Sequence, residues 1–223
     1  MNRVKYVLAV CFITVAGSFC AFASDTKVAC IGDSLTYGTG IKDKVSHSYP
    51  SRLQQKLGEG YEVRNFGLPS ASAEHDSVLP YNESDEYKAA LEYNADVYVL
   101  MLGTNDAKGI NWKGAETFKR DYEEMIDEVG KGRIILMDVP PTNYDDTVEL
   151  TEEYTTDERV NEINTIIDDI AREYKIKLIK NHDTIAMLDD TVLIHNDVHL
   201  NERGAGIIAE EAATVIRAKY KKD

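Results

Sequence analysis

The stretch "LIHNDVHLNERG", residues 193–204, places His195 and His199 on either side of Asp197, just ahead of what reads as a helix start at Asn201. Two imidazoles and a carboxylate at this spacing can bind a metal, move a proton for a nucleophile, or sit in a polar loop. An extended chain would put His195, Asp197 and His199 on one face, with side chains suited to zinc. A helix opening at Asn201 leaves little room for a straight strand, and no other Cys or His cluster offers a fourth ligand. No metal and no cofactor are therefore expected. Proton transfer remains, and it requires a nucleophile elsewhere in the chain.

"CIGDSLTYG" supplies one candidate, since Ser34 follows an apolar run directly and is flanked by Gly32 and Asp33. A serine on a tight turn can project its hydroxyl, with backbone N–H groups converging beside it. The competing reading is a helix N-cap serine. In "RNFGLPS", Gly67 lets the backbone come close to a ligand and point its N–H at a developing oxyanion, or it merely permits a turn. In "MLGTND", Asn105 can aim an amide donor into the same crevice, where such a donor is worth about 3 kcal/mol of barrier; an Asn/Asp turn is the alternative. Histidine is the residue type suited to act as general base for a serine hydroxyl, and His199 is the candidate.

The elements that must position these residues alternate along the chain. Apolar runs at 27–31, 62–66, 97–102, 133–138 and 176–180 read as buried strands. Helical spacing covers 49–57, 83–93, 114–129, 156–173 and 202–221. Within the fourth of these, Val160, Ile163, Ile166, Ile167 and Ile170 share one face. Strands alternating with helices of this length predict βαβ units around a parallel sheet, and ligands of such sheets bind beyond the carboxyl ends of the strands. Ser34, Gly67 and Asn105 each follow a predicted strand.

Four blocks in this order resemble the SGNH, or GDSL-type, hydrolase family: Ser34 in "GDSL", Gly67 in "NFG", Asn105 in "GTND" and His199 in "DVHLN". The resemblance runs from Lys27 to the final helix. It implies an α/β fold, a flavodoxin-like three-layer α/β/α sandwich with a five-stranded parallel sheet. It implies Ser34 as nucleophile, His199 as base, and an oxyanion hole of the Ser34 and Gly67 N–H groups with the Asn105 side chain. The reaction it implies is metal-free ester hydrolysis through an acyl-enzyme. The family carries an aspartate three residues before its histidine; here that position is Asn196, with Asp197 one place later. Asn196 and Asp197 are thus both candidates for the third triad position. If Asn196 fills it, Asn196→Asp should raise turnover, because a carboxylate stabilises the imidazolium and an amide does not.

Bulk properties narrow the setting. Arg3 and Lys5, the apolar run 6–22 and Ala21-Phe22-Ala23 read as a secretory signal peptide, residues 1–23, cut after Ala23. One domain over residues 24–223, secreted or periplasmic, is expected, with no membrane span after signal removal. Cys11 and Cys20 leave with the signal, and Cys30 among apolar neighbours reads as a buried thiol. The formal charge of −14 becomes −16 without Arg3 and Lys5, a field that repels nucleic acid and anionic lipid. The substrate is expected to be a small-molecule or glycan ester.

The stretches 29–58, 61–72 and 102–112 are most similar to carbohydrate acetylesterase members of the family, including sialate O-acetylesterase-like proteins. Tyr37, Trp112, Tyr144 and Tyr154 follow predicted strands, where aromatic faces could stack on sugar rings or pack under their own loops. The loop 139–156, acidic and carrying two of the tyrosines, is expected to wall the cleft. A lysophospholipase or thioesterase on the same scaffold would need an apolar acyl groove. A glycan-binding protein with an eroded triad would have no physical need to keep Ser34, Gly67 and Asn105 together.

Overall fold

The computed structural model describes residues 25–144, 148–149, 151–188, 191–194 and 197–220. The proposed signal peptide, with Cys11 and Cys20, lies outside the described residues, as do His195 and Asn196. Five parallel strands form one sheet: β1 Thr26–Gly32, β2 Tyr61–Gly67, β3 Val97–Met101, β4 Ile134–Met137 and β5 Lys177–Ile179. Their order is β2-β1-β3-β4-β5, the flavodoxin-like winding, whose switch point lies between β1 and β3.

The three central strands read as unbroken apolar runs because both of their faces are covered. Alternate residues divide between two cores. Ala29, Ile31, Tyr98, Leu100, Ile134 and Leu136 pack on one side with Phe118, Tyr122, Ile126, Val160, Ile163 and Ile167. Val28, Cys30, Val97, Val99, Met101, Ile135 and Met137 pack on the other with Leu53, Ile208, Ala212 and Ile216. Cys30 is fully buried, and burial pushes its thiol up to about 12, so it is an inert filler rather than a reagent.

The predicted helices are present as α3 Tyr49–Leu57, α4 Asp85–Tyr93, α5 Ala115–Val129, α6 Asp157–Tyr174 and α8 Glu202–Lys219. Asn201 caps α8 as expected, its Oδ1 accepting from the N–H groups of Arg203 and Gly204 at 2.9 and 3.1 Å. Helix α4 starts two residues later than its periodicity suggests, because Ser84 caps it and residues Tyr81–Glu83 form a separate 3-10 turn. Three short helices carry too few residues for a periodic signal: α1 Ser34–Tyr37, α2 Lys44–His47 and α7 Asn181–Ala186. The first of these bears the candidate nucleophile.

Candidate active site

Strand β1 ends at Gly32, where a Cβ would lie 2.3 Å from the Met101 carbonyl oxygen and 2.4 Å from Thr36 Oγ1. Only glycine lets the chain turn this tightly from β1 into α1. Asp33 is the N-cap of α1, its Oδ1 accepting the Leu35 N–H at 2.9 Å. The capping alternative for Ser34 is thus taken by its neighbour. Ser34 opens the helix, 6% exposed, and its Oγ lies 2.9 Å from His199 Nε2.

His199 Nδ1 in turn lies 2.7 Å from Asp197 Oδ1, which also accepts the Val198 N–H at 2.7 Å. Both ring nitrogens therefore face a partner. With the proton on Nδ1, that N–H donates to Asp197 and Nε2 accepts from the serine hydroxyl. Ser34 and His199 lie 165 positions apart in the chain and are joined by this contact. Asp197 supplies the oxygen that meets the imidazole.

The expected oxyanion groups stand differently. Asn105, buried past the end of β3, gives one amide hydrogen to the Ala71 carbonyl oxygen at 3.0 Å, and its amide has a second to offer. Gly67 is paired with Gly32 at the end of the β1–β2 ladder. Its N–H donates to Asn65 Oδ1 at 2.9 Å, while Asn65 Nδ2 reaches the Thr36 carbonyl oxygen. A Cβ on Gly67 would lie 2.2 Å from the Tyr37 nitrogen. Gly67 thus serves the close approach of β2 to α1, and its N–H is already engaged by Asn65.

One residue that periodicity did not single out sits beside it. Leu68, Pro69, Ser70 and Ala71 form a turn closed by the Ala71 N–H to the Leu68 carbonyl oxygen, with Ser70 at φ +68°. Proline second and a left-handed third residue are the marks of a type II turn, a position that favours glycine. The "LPSAS" run was the available signal. Carboxylates anchor the segment that follows: Asp106 accepts the N–H groups of Ala73 and Glu74, and Asp121 accepts that of His75.

The aromatic candidates divide. Trp112 is half-buried, with its ring 6.0 Å from Phe118 and the Arg159 guanidinium 4.5 Å from its centroid, so it serves its own loop. Tyr37 lies on α1 with Ser34, at the boundary of exposure, under the Lys44 ammonium at 3.6 Å. Tyr144 and Tyr154 meet edge to face at 5.4 Å. Tyr144 follows Asn143, whose N–H donates to the Asp197 carbonyl oxygen at 3.0 Å, and burial first, then the Asp197 charge, pushes the Tyr144 phenol up to about 12.

The loop 139–156 touches both halves of the site. On one side the Thr155 hydroxyl donates to the Thr104 carbonyl oxygen at 2.8 Å and the Ile110 N–H to that of Glu152 at 3.0 Å. On the other, the Asn143 N–H donates to the Asp197 carbonyl oxygen at 3.0 Å.

Buried carboxylates surround this architecture. Burial pushes Asp33, Glu74 and Asp138 up to about 7 and Asp106 up to about 6. Asp33 Oδ2 has no hydrogen-bond partner among the described residues. Unfolded, these groups would titrate near 4, so folding takes up protons between about pH 4 and pH 7. Stability is highest at the acid end of that window and falls as pH rises through it. The melting temperature should therefore be higher at pH 5 than at pH 8, by about 3 °C or more. Asp33→Asn keeps an acceptor for Leu35 and discards the buried charge, so it should raise the pH 8 value and shrink the difference. Equal melting temperatures at the two pH values would contradict this account.

Known proteins resemble this chain in sequence and in fold. An acetylxylan esterase from Xylanibacter ruminicola is 32% identical over 211 residues, covering 86% of this chain and 43% of its own length. This chain thus spans less than half of that relative. A lipase/acylhydrolase from Enterococcus faecalis superposes with a TM-score of 0.72 at 20% identity, covering 88% of this chain and 98% of that one. A carbohydrate acetylesterase from Sinorhizobium meliloti superposes at 0.69 with 18% identity, covering 88% and 100%. These two likenesses concern the fold, which is the SGNH hydrolase fold. Residues 30–207 match the GDSL-like lipase/acylhydrolase family across both ends of the Ser34–His199 pair, and the chain belongs to that family.

Proposed function

We propose that this protein is an exported serine esterase that removes short acyl groups, acetyl above all, from carbohydrate. The observation that carries the reading is the relay from Ser34 Oγ through His199 to Asp197. In the first step Ser34 Oγ attacks the ester carbonyl carbon as its proton passes to His199 Nε2. The tetrahedral oxyanion collapses, His199 returns the proton to the departing sugar oxygen, and an acyl-serine remains. Water then attacks that carbonyl, gives its proton to His199, and the acid leaves as Ser34 regains its hydrogen. Asn105 Nδ2 and the Ser34 N–H are the proposed oxyanion donors. The Asp197 carboxylate holds the imidazole's proton and offsets its charge.

The site's openness supports a bulky, polar substrate. The Asp197 side chain is 36% exposed and that of His199 17%, so the relay lies at the surface rather than at the foot of an acyl tunnel. Tyr37 and the Tyr144–Tyr154 pair would flank a sugar, and the similarity to an acetylxylan esterase favours a plant-type polysaccharide. The apolar run 6–22 supports export, and among the described residues no helix is long and apolar enough to cross a membrane.

The test is hydrolysis of p-nitrophenyl esters from acetyl to palmitoyl, with Ser34→Ala as control. Rates should peak at acetyl and decline at least about tenfold by octanoyl, since a site without an acyl groove gains little from longer chains. A preference for long chains would move the substrate to lipid. Rates that survive in Ser34→Ala would remove the nucleophile assignment.

A further inference from the structure

The segment carrying Asp197 and His199 is a small two-armed loop. Its base is closed by a bridge between Leu193 and Leu200, by the Ile194 N–H to the His199 carbonyl oxygen at 2.9 Å, and by the Asn201 N–H to that of Val192. Its descending arm carries Asp197, whose Oδ1 must stay in line with His199 Nδ1. Hydrogen bonds along one arm do not determine where Asp197 stands relative to the sheet and Ser34.

Asn143 grips both arms from outside. Its backbone N–H donates to the Asp197 carbonyl oxygen at 3.0 Å, and its side-chain Nδ2 donates to the Ile194 carbonyl oxygen at 3.2 Å. One residue thereby ties the arm that precedes the tip to the arm that bears the acid. Asn143 belongs to the loop 139–156, which is fastened at its other end to the Asn105 segment through Thr155 and Glu152. The Thr142 N–H beside it donates to Asp157 Oδ1 at 2.9 Å, which seats this part of the loop on the start of α6. The chain of contacts runs from α6, through Asn143, to Asp197 and His199.

We propose that Asn143 is a positioning residue, whose side-chain amide holds the acid–base loop so that Asp197 stays on His199 Nδ1; the proposal rests on the reading of Ser34, His199 and Asp197 as the reacting relay. An amide is needed because one residue must donate twice, once from the backbone and once from the side chain, to two carbonyl oxygens. Asparagine has the length for this, while an ionised carboxylate at the same place would face Ile194's oxygen with another acceptor.

Asn143→Ala removes the side-chain donor and leaves the backbone bond. Its kcat on p-nitrophenyl acetate should fall about tenfold while KM changes by less than about twofold, because orientation of the base matters in the transition state. In an Asp197→Ala background the same change should cost less than about twofold, since there is no acid left to position. Asn143→Asp, of the same size, should lose at least as much as Asn143→Ala. Thermal melts of each variant separate loss of fold from loss of alignment. An unchanged kcat in folded Asn143→Ala, or a full tenfold loss again in the Asp197→Ala background, would overturn the proposal.

Proton NMR gives a readout that does not depend on turnover. A proton held between His199 Nδ1 and Asp197 should resonate far downfield in the parent protein and broaden or vanish in Asn143→Ala. The same sharp signal in both proteins would defeat the clamp. If the parent shows no Ser34-dependent hydrolysis, the catalytic reading fails, and the NMR comparison still decides the role of Asn143.

Discussion

Ser34→Ala should abolish ester hydrolysis, lowering kcat by about 10^5 to 10^6 toward a small residual rate. The size of the effect follows from what the hydroxyl does. In the proposed mechanism it forms the bond to the acyl carbon, a role that no water can take over in the variant. The variant should fold normally, because the fold uses Ser34 through its backbone. Its carbonyl oxygen accepts the N–H groups of Gly38 and Thr39, and the recorded hydroxyl contact is with His199. His199→Ala should cost nearly as much, and the double variant little more than either, since the two act as one unit. Steady-state kinetics on p-nitrophenyl acetate, with mass spectrometry after a serine-directed organophosphate, measures both. Additive losses in the double variant, or phosphonylation elsewhere with Ser34 untouched, would show that the pair at 2.9 Å is not the reacting pair.

Asp197→Ala should lower kcat by about 10^2 to 10^4, with KM little changed. In serine proteases, replacing the aspartate by asparagine costs about four orders of magnitude, because the imidazole then presents the wrong tautomer. The lower part of the range reflects partial exposure: the Asp197 side chain is 36% accessible, so water can take over part of its work. Asn196→Asp should leave kcat within about twofold, since the Nδ1 side of His199 is already met by a carboxylate at 2.7 Å. A marked gain in Asn196→Asp together with an indifferent Asp197→Ala would return the acid role to position 196.

Much of this site is legible in the chain because its parts lie at the ends of strongly patterned elements. The two-sided burial of β1 from Val28 onward, and of β3 and β4, makes these residues apolar without interruption. The polar residues that follow each run stand out for the same reason. Ser34 after β1, Asn105 after β3 and the cap at Asn201 are read this way, and parallel strand order then brings the first two to one edge. Short elements escape such reading. Helix α1 has four residues, and the turn at Ser70 announces itself only by a proline.

By itself, then, the sequence determined the layers of the fold, the winding of the sheet and the pairing of a strand-end serine with a distant histidine. The layers follow from local periodicity, and the strand-end placement from the rule that ligands meet the carboxyl ends of parallel strands. The winding and the serine–histidine pairing are what the resemblance of the four blocks implies. Tertiary structure alone decided three matters. It set Asp197 Oδ1 against His199 Nδ1, because which side chain faces a ring depends on the local path of the loop. It committed the Gly67 N–H to Asn65, because α1 crosses directly over the end of β2. And it brought Asn143 to the acid–base loop, a contact between residues more than fifty positions apart that no periodicity encodes. Spacing along the chain reports what one element must bury; the partner of a polar loop atom is set only when separate elements are packed together.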